Sequence, residues 1–298
     1  MTTSVRLADR SLVVSVSKPA QSADFPTQNN GGISMNLDDL TAKYRVGVWL
    51  INLKRDVGRF EKMDAQLKRI GLTYQLFEAV DGKANAEELV KRVDVKAYER
   101  NMGSRLLPGK MGCYASHVRV WELFLASTYQ TALILEDDVV FHDDFAESLE
   151  QALKTRQHWD TVRFNCIRAK FPVTQGLAGR YHLNAYIGPF TGNATYLLNR
   201  DAADRILPGL WPQTRAFDHE LNRFFAHNFR QCGLEPFSTH VDDGNVSSIT
   251  GENFSQVEKF DSLHRLPHYG LKAINYLRRF FWLLINGKVV PRERCLKD

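Results

Sequence analysis

Ala132-Leu133-Ile134-Leu135-Glu136-Asp137-Asp138 runs four apolar residues straight into three adjacent carboxylates. A short, uninterrupted apolar run closed by polar residues predicts a strand buried on both faces, as in a parallel sheet. Just before it, Met111, Tyr114, Val118, Trp121 and Leu125 recur at helical spacing and predict a helix over 111–126. The same alternation repeats upstream. Val46–Ile51 predicts a second buried strand. Asp56 is placed to cap a helix carrying Phe60, Met63, Leu67 and Ile70 up to a Gly71 stop. Thr73–Val80 predicts a further strand, closed by the turn Asp81-Gly82, and a helical pattern covers 87–98. Strand–helix alternation is the signature of βαβ units. The expected fold class is therefore α/β: one Rossmann-type domain with a mainly parallel mixed sheet flanked by helices. Downstream the pattern is less regular, with strands near 161–166 and 194–198, helices near 201–207 and 218–228, and no internal repeat.

Charge and composition divide the chain of 298 residues into three parts. Residues 1–43, rich in Ser, Thr, Asn, Gln and Gly, are expected as a disordered leader. The folded domain is expected over 44–260 and a basic amphipathic tail over 261–298. From His264 onward eight Lys and Arg face only Glu293 and Asp298, so residues 264–298 are +6 of a total of +5 and residues 1–263 are −1. No apolar run reaches the ~18 residues that would span a bilayer. Cys113, Cys166, Cys232 and Cys295 lack the close grouping of a zinc site or disulfide framework and read as reduced thiols of a cytosolic protein. No nucleic-acid partner is expected, and nothing specifies an oligomeric state.

Three adjacent carboxylates at a strand end repel one another, and a divalent cation relieves that repulsion. Hard oxygen ligands suit Mg²⁺ or Mn²⁺. Sheets of this class bind ligands beyond the carboxyl ends of their strands, where Glu136, Asp137 and Asp138 lie. Strand alternation predicts Glu136 and Asp138 on one face and Asp137 on the other. The competing reading is a solvated loop that caps the next helix.

Four segments together resemble glycosyltransferase family 25. They are Val48-Trp49-Leu50-Ile51-Asn52-Leu53 with Arg55 and Arg59, Glu78-Ala79-Val80-Asp81-Gly82, Gly109-x-x-Gly112-Cys113-x-x-Ser116-His117, and Leu133-Ile134-Leu135-Glu136-Asp137-Asp138-Val139. They occur in the family's order, across roughly 46–250. One position departs: the family carries an acidic residue in the Asn-Leu-x-x-Arg stretch, where Lys54 stands here. The resemblance implies a GT-A-like fold, a UDP-sugar donor, dependence on Mn²⁺ or Mg²⁺, and inversion at the anomeric carbon. It further implies a hexose, galactose in particular, passed to a saccharide acceptor on a lipid-linked glycan of the lipopolysaccharide type.

On this resemblance Asn52, Arg55, Asp81, Gly112, Ser116, His117 and Gly192 are candidates for holding the donor. Asp81 either accepts from ribose or base or simply makes an Asp-Gly turn, and Arg55 and Arg59 either meet phosphates or lie on an exposed helix. Gly109 and Gly112 either let the donor approach the backbone or start a helix. Gly188 and Gly192 resemble acceptor-side glycines, and Ser247-Ser248-Ile249 resembles a serine pair without an assigned role. Inverting transfer needs a carboxylate that deprotonates the acceptor hydroxyl. Asp218, in Phe217-Asp218-His219-Glu220-Leu221, is the candidate base, with helix N-cap as its alternative role.

The C-terminal stretch 269–286 gathers Ala273, Ile274, Leu277, Phe280, Phe281 and Leu284 in one helical arc, with Lys272, Asn275, Arg278 and Arg279 opposite. A basic, aromatic-rich helix of this kind is expected at a membrane interface, here the cytoplasmic face of the inner membrane; the alternative is docking onto the protein's own core. Two other functions fit the acidic triplet. One is metal-dependent phosphoryl transfer, which needs a second acidic cluster such as Asp143-Asp144 or Asp242-Asp243. The other is a non-catalytic module that binds a nucleotide sugar.

Overall fold

The computed structural model describes residues 36–242, 259–286 and 295–296. Its strands are β1 (Val46–Asn52), β2 (Gln75–Glu78), β3 (Thr131–Glu136), β4 (Val139–Phe141), β5 (Thr161–Arg163), β6 (Arg168–Ala169), β7 (Pro172–Ala178), β8 (Tyr181–Tyr186), β9 (Phe190–Thr191), β10 (Thr195–Asn199), β11 (Gln231–Glu235) and β12 (Thr239–Val241). Eight of them form one sheet in the order β2-β1-β3-β10-β5-β11-β8-β7. Strands β2, β1 and β3 run parallel, as do β5 and β11. From β3 to β10 and out to the β7–β8 edge the pairings are otherwise antiparallel. The α/β class with a mixed sheet holds, with the parallel register concentrated in the half whose apolar runs announced it. The β7–β8 hairpin, turning at Gly179 with φ +61, falls in the stretch whose sequence pattern is least regular.

Helices cover both faces. On one lie α1 (Leu37–Lys43), α2 (Val57–Ile70) and α6 (Phe145–Lys154). On the other lie α5 (Pro108–Ala126), α7 (Arg200–Ile206), α8 (Phe217–Leu221), α9 (Phe224–His227) and α10 (Leu266–Ile285). The helical pattern at 87–98 resolves into α3 (Ala86–Val90) and α4 (Val95–Met102). Alternation along β1 divides its side chains: Val46, Val48 and Leu50 join Leu67 and Leu149 in one core, while Trp49 and Ile51 join Trp121 and Phe124 in the other. All seven residues of β1 are buried, as a central strand demands.

Three expectations need correction. Residues 37–43, assigned to the leader, form α1, capped by Asn36 and anchored by buried Leu37 and Leu40; the rest of the leader lies outside the described residues, as do Ser247-Ser248-Ile249. The helix at 218–228 breaks into α8 and α9. In α10, the side read as polar includes the residue that docks. Arg279 is 4% exposed, its Nε donating to the Ile187 carbonyl at 2.6 Å, while Leu283 and Trp282 pack beside Phe224. The apolar arc, including Ile274, Leu277, Phe281 and Leu284, faces outward.

Two glycines fix how the turn after β2 meets α5. A Cβ on Gly82 would lie 1.9 Å from the Pro108 carbonyl oxygen, and one on Gly112 would lie 2.5 Å from that of Val80. Gly112 thus serves close packing of backbone on backbone rather than approach of a ligand. Gly112→Ala is expected to cost about 1–3 kcal/mol through overpacking, read as a lowered midpoint in denaturant melts; an unchanged midpoint would contradict this role.

Candidate active site

The carboxyl ends of β1 and β3 bring Asn52 against the acidic triplet. Its Nδ2 donates to Asp137 Oδ2 at 2.7 Å. From the first turn of α2, Arg59 reaches both aspartates: Nη1 lies 3.0 Å from Asp137 Oδ1 and Nη2 2.7 Å from Asp138 Oδ2. The alternation expected for the triplet therefore fails. Strand β3 ends at Glu136, the chain turns, and Asp137 and Asp138 share one guanidinium while Glu136 points elsewhere. Arg59 is the clamp of this site and was read only as a possible phosphate contact or exposed helix residue.

Glu136 faces α5. His117 Nε2 lies 3.0 Å from Glu136 Oε1, and His117 Nδ1 lies 3.0 Å from the Tyr196 hydroxyl. Trp121 Nε1 donates to the Tyr196 oxygen at 2.9 Å. One proton arrangement satisfies all three groups: Tyr196 donating to His117 Nδ1 and His117 Nε2 donating to Glu136. The other face of the imidazole stacks on Phe217, with centroids 4.6 Å apart and 5° between planes. Phe217 immediately precedes Asp218. The path Glu136–His117–Phe217–Asp218 thus joins the acidic triplet to the candidate base.

Asp218 sits in the first turn of α8, whose N-cap is Ala216, so it is not the cap. Its Oδ2 accepts from the Gly192 amide at 3.2 Å and its Oδ1 from the His219 amide at 2.9 Å. Gly192 makes this approach with φ +94, where a Cβ would lie 2.8 Å from the Ile167 nitrogen. Beneath it, buried Arg163 donates to the carbonyls of Phe190 at 2.8 Å and Gly192 at 3.0 Å. Burial alone would raise the Asp218 carboxyl; His219, Lys110, Arg163 and the Gly192 amide outweigh it and hold the group below its ordinary range. Asp218 is therefore ionised at neutral pH. Between the two poles, Asn193 is 7% exposed and neither its amide nitrogen nor its oxygen has a partner, a costly arrangement that a polar ligand would relieve.

The other donor candidates are occupied differently. Arg55 and Asp81 pair with each other, and Asp81 Oδ1 also accepts from the Lys83 amide at 2.9 Å, closing its turn. Ser116 is buried, donating to the Gly112 carbonyl and accepting from the Val80 amide, each at 2.8 Å. Its role is to hold α5 to the β2 turn. Lys54, the departure from the family pattern, is exposed with Nζ 4.0 Å from Glu78.

Burial and mutual repulsion raise Asp137 to about 6 and Asp138 to about 7, against the opposing pull of Arg59. Asp138 Oδ1 is buried without a hydrogen-bond partner. Excess negative charge and an unused carboxylate oxygen fit a divalent cation. Among the described residues, ligand atoms of Cys113, His117 and Glu136 also lie within 4.8 Å of one another. Burial, then Glu136, pushes the Cys113 thiol up, so it stays protonated. Hard cations are better served by carboxylates than by a thiol, and Glu136, though turned to His117, still lies near enough to Asp138 to raise it.

The sequence model for glycosyltransferase family 25 (LPS biosynthesis protein) matches residues 46–218, and the chain belongs to that family. A glycosyltransferase 25 family member of Aedes aegypti is 25% identical over 242 residues, 72% of this chain and 39% of that protein. Procollagen galactosyltransferase 1-B of Xenopus laevis is 26% identical over 247 residues, 72% of this chain and 40% of that protein. Inactive glycosyltransferase 25 family member 3 of Mus musculus is 28% identical over 123 residues, 39% of this chain and 21% of that protein. The chain spans about two fifths of the length of the first two.

The raised carboxyls carry a sign. A native-state pKa above the unfolded value near 4 gives stability at low pH that is lost as pH climbs through about 6–7. In EDTA, Asp138→Asn should raise the melting temperature at pH 8 and leave it unchanged near pH 4. Equal melting at pH 8 would show that the triplet is not strained by its charge.

Proposed function

We propose that this protein is an inverting, metal-dependent glycosyltransferase that moves a hexose, galactose by the family resemblance, from a UDP-sugar to a saccharide of a lipid-linked, lipopolysaccharide-type glycan. The observation that supports it is the Glu136–His117–Phe217 path, which links the acidic triplet to an ionised carboxylate, Asp218. Two such poles separate the two tasks of sugar transfer. Asp218 accepts the acceptor hydroxyl's proton as that oxygen bonds to the anomeric carbon, while the bond from that carbon to the diphosphate breaks. Glu136 and Asp138 would hold Mn²⁺ or Mg²⁺, which stabilises negative charge on the departing UDP. Arg59 keeps Asp137 and Asp138 together, and Asn52 orients Asp137.

Membrane contact through the outward arc of α10 and a cytoplasmic location at the inner membrane belong to the same reading. Among the described residues no helix is long and apolar enough to cross a membrane, so contact would be peripheral. Phosphoryl transfer finds less support. Asp144 is engaged by Arg180 at 2.9 Å and by Tyr181, the Asp242 amide donates to the Asp138 carbonyl at 2.7 Å, and Asp243 lies outside the described residues. The non-catalytic alternative is favoured by one observation, the arginine pairs that occupy Asp81, Asp137 and Asp138.

A screen of UDP-sugars for UDP release with Mn²⁺ should find turnover, with Asp218→Asn lowering kcat by ~10²–10⁴ while the donor Kd holds. The wild-type acid limb should lie below the ordinary carboxylate pKa and vanish in the variant. Donor binding without turnover would establish the non-catalytic module; normal kcat in Asp218→Asn would remove Asp218 as base.

A further inference from the structure

Beside Gly192, the chain from Ile167 to Phe171 enters the small β6–β9 ribbon and exposes large apolar side chains. Ile167 is 62% exposed and Phe171 61%. Arg168 and Lys170 lie between them, also exposed, and the segment contains no carboxylate. Phe171 has φ +54. A bulky residue in the left-handed region is uncommon and strained. Glycine or asparagine would make the same turn without that strain, and beyond its edge contact with Tyr276 the Phe171 side chain stays mostly exposed.

The ribbon is fixed to α10. The Phe171 ring meets Tyr276 edge-on, with centroids 6.2 Å apart. The Ile187 amide donates to the Phe171 carbonyl at 3.1 Å, and Arg279 donates to the Ile187 carbonyl at 2.6 Å. Buried Arg279 thus sets the attitude of the helix relative to the ribbon. On α10 the outward residues Ile274, Leu277, Phe281 and Leu284 are 43–59% exposed, Lys272 and Arg278 are also exposed, and the helix has no acidic residue. Two separate elements thus present one chemistry, apolar side chains interleaved with cations.

We infer that the 167–171 ribbon and the outward arc of α10 form one docking surface for an anionic lipid bilayer, with the ribbon as a second point of insertion beside the site. The absence of carboxylates from both elements argues for an anionic partner, and the apolar side chains argue for one with an acyl interior. Two points of attachment hold the mouth next to Gly192 and Asp218 toward the bilayer, because Ile167 packs against Gly192. An acceptor anchored in that bilayer would approach Asp218 from the ribbon side. This deepens the membrane-contact reading of α10 and rests on it.

The test separates the two. Phe171→Trp and Leu277→Trp, both at exposed positions, are mixed as full-length proteins with phosphatidylcholine vesicles carrying brominated acyl chains, with and without phosphatidylglycerol. Emission above the wild-type background should be quenched in both variants, only with the anionic lipid, and less as salt rises. Quenching at Leu277→Trp without quenching at Phe171→Trp overturns the ribbon's role and leaves the helix reading standing. Quenching in neither overturns both, as does a surface covered by a second copy, seen as a dimer in sedimentation that does not bind vesicles. Ile167→Ser combined with Phe171→Ser should weaken vesicle binding about tenfold; unchanged binding counts against the ribbon.

Discussion

His117 meets Glu136 through Nε2 and the Tyr196 hydroxyl through Nδ1, and its ring lies flat on Phe217. Those three contacts come from three elements: the end of β3, the antiparallel strand β10, and the first turn of α8. The imidazole can satisfy them only if the parallel and antiparallel halves of the sheet meet in the observed register. Trp121 holds the Tyr196 hydroxyl from one helical turn further along α5, and Cys113, His117 and Trp121 form one stripe of that helix. The close contact of Gly82 and Gly112, with Ser116 bonded to the Val80 amide, sets the height of that stripe.

Around this frame the site is electrostatically divided. The triplet holds more negative charge than its surroundings neutralise, since Arg59 is one cation facing Asp137 and Asp138 and leaves an oxygen of Asp138 without a partner. At the other pole Asp218 is ionised, with cations and amide donors directed at it. One pole is prepared to gain a cation and the other to gain a proton. Proposed transfer from a diphosphate donor requires both within one cleft.

The strands and the triplet were legible because a buried parallel strand writes an unbroken apolar run, and carboxylates at its end have no packing role. Register was less legible. No local pattern says that Arg59, on the helix after β1, lies beside Asp137 and Asp138 in the turn after a strand about eighty residues later. Ser116 and Gly112 were grouped with His117 by their shared motif, yet successive helix positions face different ways, and only His117 meets the triplet. Asp81 and Arg55 were each offered to a ligand and instead pair with one another. In α10 the apolar arc was legible, but the docking of the opposite face was not, because it depends on one buried arginine meeting backbone acceptors far away in sequence.

The account stands on the triplet holding a divalent cation under the donor diphosphate. Calorimetric titration of the wild-type protein with UDP, in Mn²⁺ and in EDTA, tests that most directly. Binding should be tight in Mn²⁺ and at least about tenfold weaker in EDTA, a difference of about 1.4 kcal/mol. Equal affinity in the two conditions would contradict it.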